Sequence, residues 1–133
     1  MLIIRAIYNI LSAYQPLVDL VGERIYPVQA PQQRVWPFVV FSVNESTPIN
    51  RLSGRACADR VFTEYIIVTK TVDEALTISS TLRDALDWVT PGTYSGVSLG
   101  RTQFTNLVGP QYDDDEDKYI INMVFDTIVN NAV

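Results

Sequence analysis

The chain has 133 residues, a mass of 15.0 kDa and a formal charge of −5. Five consecutive acids, Asp113 to Asp117, carry all of that excess, because the remaining acids and bases balance. A uniformly acidic solvating chain and a basic nucleic-acid binder are both excluded. With 47% hydrophobic residues, the length predicts one domain over 1–133 with a core of its own.

There is no histidine and one cysteine, Cys57. That removes Ser-His-Asp and Cys-His nucleophiles, zinc sites built on His or on several Cys, iron–sulfur sites and any internal disulfide. No catalytic, cofactor-binding or metal-ligating residue is assigned.

In chain order, Leu2, Ile3, Ala6, Ile7, Ile10, Leu11 and Tyr14 recur at helical spacing, with Arg5, Asn9 and Ser12 between them. This predicts an amphipathic helix laid on a core, not a membrane span or signal peptide. A soluble intracellular product is expected. Pro16 ends that helix and opens a short second one to Val21, with Gly22 at its C-cap. Arg24-Ile25-Tyr26 is a short extended piece, and Pro27 and Pro31 bracket a loop that runs to Pro37.

Phe38 to Val43 is apolar on both faces, which predicts a strand covered on both sides. Glu45 to Ala58 has loop composition, with Pro48, Asn50 and Gly54. Arg60 to Thr69 reads as a strand with Val61, Thr63, Tyr65 and Ile67 on one face and Phe62, Glu64, Ile66 and Val68 on the other. Thr71 and Glu74 form a capping box before a helix ending near Trp88. Its apolar stripe is predicted to be Val72, Ala75, Leu76, Leu82, Leu86 and Val89. A glycine-punctuated strand from Val97 to Asn106 comes next, then a loop with Gly109, Pro110 and the acidic run. In the last strand Tyr119, Ile121, Met123 and Phe125 alternate with Ile120, Asn122, Val124 and Asp126. Trp36 and Trp88 are expected to pack in the core. The fold class is α+β: a mostly antiparallel sheet with two main helices packed on it.

The acidic run does not fit a calcium loop, since its sixth position is Lys118 and its twelfth Val124. It reads as a solvated turn or an electrostatic contact. Arg51, Arg55 and Arg60 lie in and beside the long loop without interleaved aromatics, so single-strand stacking is not indicated. They read as solvated arginines or as a grip on an acidic surface of another subunit. No phosphate-cradling glycine motif is present. Asn44-Glu45-Ser46 matches a glycosylation sequon, but no secretion signal accompanies it.

An ordered set of segments carries a resemblance. Leu20-Val21-Gly22-Glu23-Arg24-Ile25-Tyr26-Pro27 leads to Ala30-Pro31-Gln32 and Trp36-Pro37-Phe38-Val39-Val40-Phe41. Thr47-Pro48-Ile49-Asn50-Arg51-Leu52-Ser53-Gly54 follows, then Asp73-Glu74-Ala75 and Leu82-Arg83-Asp84-Ala85-Leu86. From Met1 to about Trp88 this resembles the tail-completion, tail-terminator or head–tail joining proteins of long-tailed bacteriophages. Ile66 and Val68 depart from the pattern, standing where more polar or aromatic residues are expected.

The resemblance implies a ring-forming α/β subunit, six to a ring, without covalent chemistry or cofactors. The ring would cap the head-proximal end of the tail tube in the virion. Its partners would be further copies of itself, the tail tube protein and the head connector or stopper. DNA would pass through the lumen without sequence-specific binding, and no membrane is involved. A head-to-tail ring needs two unlike patches on each subunit. The candidates are Asn50, Arg51, Arg55 and Arg60 on one side and Asp113, Asp114, Asp115, Glu116 and Asp117 on the other, with the acids alternatively lining the lumen. Another neck or baseplate ring component, or a small ligand-binding domain unrelated to phages, are the competing readings.

Overall fold

The computed structural model describes residues 3–32, 35–51 and 54–130, and the side chains of residues 50, 51 and 54–57 lie outside that description. Helix α1 (Ile3–Ala13) buries Ile3, Ala6, Ile7, Ile10 and Leu11, the face its spacing defines. Helix α2 (Gln15–Val21) carries Pro16 in its first turn and stops at Gly22, whose φ of 62° turns the chain.

Strand β1 (Ile25–Pro27) pairs in parallel with β2 (Phe38–Arg51). Strand β3 (Gly54–Thr69) is followed by helix α3 (Val72–Leu86), the short β4 (Gly92–Tyr94), β5 (Val97–Asp113) and β6 (Lys118–Asn130). The six-stranded sheet has the order β1-β2-β3-β6-β5-β4, antiparallel except for β1. The sheet curls so that α1 packs against both outermost strands, β1 and β4. Ser95 (φ 49°) and Gly96 (φ 79°) make the two-residue turn between β4 and β5, the positive-φ pair a tight hairpin requires.

The core lies between the helices and one sheet face. The predicted parity of β3 is observed, with Val61, Thr63, Tyr65 and Ile67 fully buried. Phe41, Tyr65, Phe125 and Phe104 form an aromatic row across four adjacent strands, with ring centroids 5.3–6.0 Å apart. Thr63 donates its hydroxyl to the Tyr65 oxygen at 3.1 Å, so the deepest phenol is not left unpaired. On α3, Glu74 N–H donates to Thr71 Oγ1 at 3.2 Å, which is the N-cap bond the sequence predicts.

The opposite sheet face has its own small cluster. Phe38 and Val68 are buried there with Ala30, and Tyr26, Trp36, Val40, Ile66 and Ile120 pack around them. The segment after β1 therefore covers Ile66 and Val68, and Phe38 to Val43 is covered on both faces as expected.

Four expectations are corrected. Glu45 to Ala58 is not a loop, because β2 and β3 continue their ladder through Glu45↔Phe62 and Ile49↔Ala58. The composition misleads because Asn44 to Ile49 are exposed on both faces, so no apolar alternation marks the strand. The Val97–Asn106 strand likewise runs on to Asp113. On α3, Val72 and Leu76 are exposed, and Ile78 joins Ala75, Leu82, Ala85 and Leu86 inside. Leu76 shares its helical row with Ser80, Arg83 and Asp87, so it faces water. Trp88 is 66% exposed, because α3 ends at Leu86 and a positive φ at Trp88 swings the chain away.

Candidate partner-binding surfaces

The long strands place the two charged groups of the sequence at opposite ends of the sheet. Arg51 pairs with Gly54 at the tip of the β2–β3 hairpin, while Thr69 at the other end of β3 pairs with Tyr119, beside the acidic turn. Gly54 to Thr69 is a run of 16 residues, or about 50 Å of extended chain. Within one molecule the arginines of the tip and the acidic run cannot meet. The side chains of Asn50, Arg51, Arg55 and Cys57 lie outside the described residues.

Arg60 is engaged inside its own subunit. Its Nε and a terminal nitrogen donate to Asp126 Oδ2 at 2.9 and 2.8 Å, and its guanidinium lies 5.1 Å from the Phe62 ring centre. Asp126 accepts this bond and its charge lies beside it, and both hold Arg60 above its ordinary pKa. From β5, Arg101 reaches the same oxygen at 3.5 Å and also donates to Gln103. Asp126 is 1% exposed, while the two arginine side chains are 50% and 36% exposed. One buried carboxylate on β6 thus clamps both flanking strands. The sequence reading missed Asp126 and Arg101. The available signal was an acid on the wet parity of an otherwise apolar strand.

The acidic run is a tight turn. Asp113 ends β5 and Lys118 opens β6, with the two residues paired across the ladder. Asp113 Oδ1 accepts Asp115 N–H at 3.0 Å, Asp117 turns at φ 56°, and Tyr112 donates its hydroxyl to Asp117. That hydrogen bond raises the Tyr112 pKa, and the neighbouring acids add to the effect. Lys118 Nζ sits 4.5 Å above the Trp36 ring and donates to the carbonyls of Glu116 and Asp117. Asp114, Asp115, Glu116 and Asp117 are exposed. A groove of about 380 Å³ runs beside the turn, floored by Val40, Ile66, Val68 and Ile120 and edged by Asp113 and Glu116.

Among the described residues, the sheet has two open edges. On β2, Phe41 C=O accepts Val28 N–H at 2.8 Å and β1 ends opposite Phe41, so the edge is open from there toward Arg51. On β5, the upper edge is closed by the chain itself: Trp88 N–H donates to Thr102 C=O at 2.7 Å, and Phe104 N–H donates to the Asp87 carboxylate at 2.9 Å. Thr105 to Tyr112 below it are all exposed, including Leu107, Val108 and Tyr112.

Among the described residues, no group of three or more His, Cys, Asp or Glu is arranged to hold a metal ion. No described helix is long and apolar enough to cross a membrane.

A sequence model of the family described as tail completion protein gp17 matches residues 5–129. Among solved structures, a chain of the virion of a native gene transfer agent particle superposes with a TM-score of 0.75 at 19% identity, covering 96% of this chain and 94% of that one. The bacteriophage SPP1 gp17 protein superposes with a TM-score of 0.53 at 23% identity, covering 99% and 93%. A search of curated protein sequences returned no match. At these identities the two structures show a shared fold.

Proposed function

The chain belongs to the tail completion protein gp17 family, and from that premise we propose that it caps the head-proximal end of a phage tail tube as a six-membered ring and docks the head connector. The family match over residues 5–129 carries this reading. The family's proteins are structural phage components, not enzymes, and the catalysis-poor composition agrees.

The geometry supports an assembly role. A subunit that binds unlike neighbours needs unlike surfaces, and this sheet has a basic tip at one end and five acids at the other. In a ring of six the acidic turns would form a band of about thirty carboxylates, one turn per copy. That band would meet the connector, seam the subunits, or repel DNA phosphates at the lumen during ejection. Virion location at the head–tail junction follows from the same reading, with DNA passing through unread.

The test is an infection in which this gene alone is silenced. The reading requires filled heads and separate tails that fail to join until the purified chain is added. Normal joined particles, or tails that lack a baseplate while heads remain attached, contradict it.

A further inference from the structure

We propose that the open lower edge of β5 is the seat for the β2–β3 arm of a second copy of this chain. The inference rests on the self-assembly in the reading above and names the surfaces that make it.

The β5 edge is treated differently along its length. Its upper part is closed by Trp88 N–H on Thr102 C=O and by the Asp87 carboxylate on Phe104 N–H. Its lower part, from Thr105 to Tyr112, has no such closure among the described residues. It exposes Leu107 (41%), Val108 (47%) and Tyr112 (51%) within six positions. A bare sheet edge carrying three large apolar side chains is a template for another chain. Leu107 sits on the core face, opposite Met123, and Val108 on the other face, opposite Asn122. An occupant of this edge therefore touches apolar side chains on both sides of it.

The occupant is identified by charge and by position. The edge ends in the acidic turn, so what lies along it passes five carboxylates. Arg51 at the end of β2 and Arg55 at the start of β3 bring positive charge to the end of the arm, with no acid in the sequence from 50 to 55. The arm behind it is itself an open edge with an exposed apolar residue, Ile49 (42%). About 50 Å of strand separates the tip from the acidic turn of its own molecule. The match can be made only between copies. Arm and edge are different surfaces, so each copy can give one and receive one, as a head-to-tail ring requires.

The register has a built-in limit. Pro110 has no N–H to donate, and the β5–β6 pairing shifts register between Val108 and Gln111. Backbone pairing with the arm is confined to the stretch ending at Val108. Beyond it the contact is side chain on side chain, with Ile49 against Val108 or Tyr112, and the arm's positive charge comes to the acidic end of the edge.

The experiment uses full-length chains carrying Cys57→Ser, so that the native thiol is silent. One population carries Ile49→Cys and the other Val108→Cys. Both substitutions are at exposed positions, so the fold is retained. The two populations carry different tags and are mixed with a short bis-maleimide at the highest concentration the chain tolerates. The proposal requires Ile49–Val108 cross-links between populations, little cross-linking within either, and a ladder of multimers from the doubly substituted chain. Arg51→Glu with Arg55→Glu should cut the yield roughly tenfold, as opposed rim charges do. Changing Asp113 and Asp114 to Lys in the partner should restore it. Val108–Val108 products, no product between populations, or a yield indifferent to charge reversal each overturn the contact. Products joining Ile49 to the tail tube protein, in place of a second copy, overturn it as well. A chain that marks the tail end without this cross-link leaves the tail-completion reading intact. A cross-linked ladder from a chain that marks no tail end does the reverse.

Discussion

Removing both arginines of the Asp126 clamp should destabilise the fold far more than removing the aspartate. Asp126 is 1% exposed, and it presents Oδ2 to Arg60 at 2.8 Å and to Arg101 at 3.5 Å. Its other oxygen, Oδ1, has no hydrogen-bond partner among the described residues. The arginine side chains are 50% and 36% exposed, so water can take over their charge when Asp126 is neutralised. Asp126, 1% exposed, is far less open to water than either arginine. Arg60→Ala with Arg101→Ala leaves a 1% exposed carboxylate with no cation beside it, the costliest change of the set. Asp126→Asn alone keeps the shape and costs about 1 kcal/mol. Arg60→Ala alone leaves Arg101 in place and falls between the two. The triple variant, with Asn at 126 and both arginines removed, should recover most of the loss. Urea unfolding followed by far-ultraviolet dichroism reads these differences. The double arginine variant should show the largest midpoint loss, at least about 1 M. A double variant within about 0.5 M of the parent, or one not rescued by Asn at 126, would refute the clamp.

Three other outcomes are expected. Burial pushes the Tyr65 phenol well above the usual tyrosine range; the unfolded chain loses that proton near pH 10 while the folded chain keeps it, so its contribution is intact below about pH 10 and falls as pH rises, by up to about 1.4 kcal/mol per unit. Tyr65→Phe should flatten the alkaline fall in urea stability, and an unchanged slope contradicts that assignment. Thr71→Ala removes the α3 N-cap bond and should cost about 1 kcal/mol by thermal unfolding, with the core unaltered. Gly109 has φ 116°, and a Cβ there would lie 2.7 Å from Ile120 C=O. Gly109→Ala should therefore cost about 1–3 kcal/mol, with amide exchange accelerating first along β5 and β6; uniform protection in the variant would show that the backbone has moved aside without penalty.

The parts legible in the sequence were those where one side of an element is wet and the other dry. Helix α1, the parity of β3 and the Thr71 cap followed directly from spacing. Reading failed where both faces are wet, as from Asn44 to Ile49, because an exposed strand has no alternation to display. It failed too where tertiary geometry sets the environment. Trp88 looked like core from its size, yet it lies just past the end of α3 at a positive φ. Arg60 reads as a solvated arginine or a grip on another subunit, yet a partner 66 positions away in sequence holds it. The acidic run was correctly located before the last strand. That it stands at the opposite end of the sheet from Arg51 follows only from the strand register.

Imaging tests the proposed location at the head-proximal tail end. Tails isolated before joining to heads, decorated with an antibody fragment against this chain, should carry label at one end only, the end opposite the baseplate. In averaged images that density should be a closed ring with six-fold symmetry. Label along the tube, at the baseplate, or absent from tails would contradict the account.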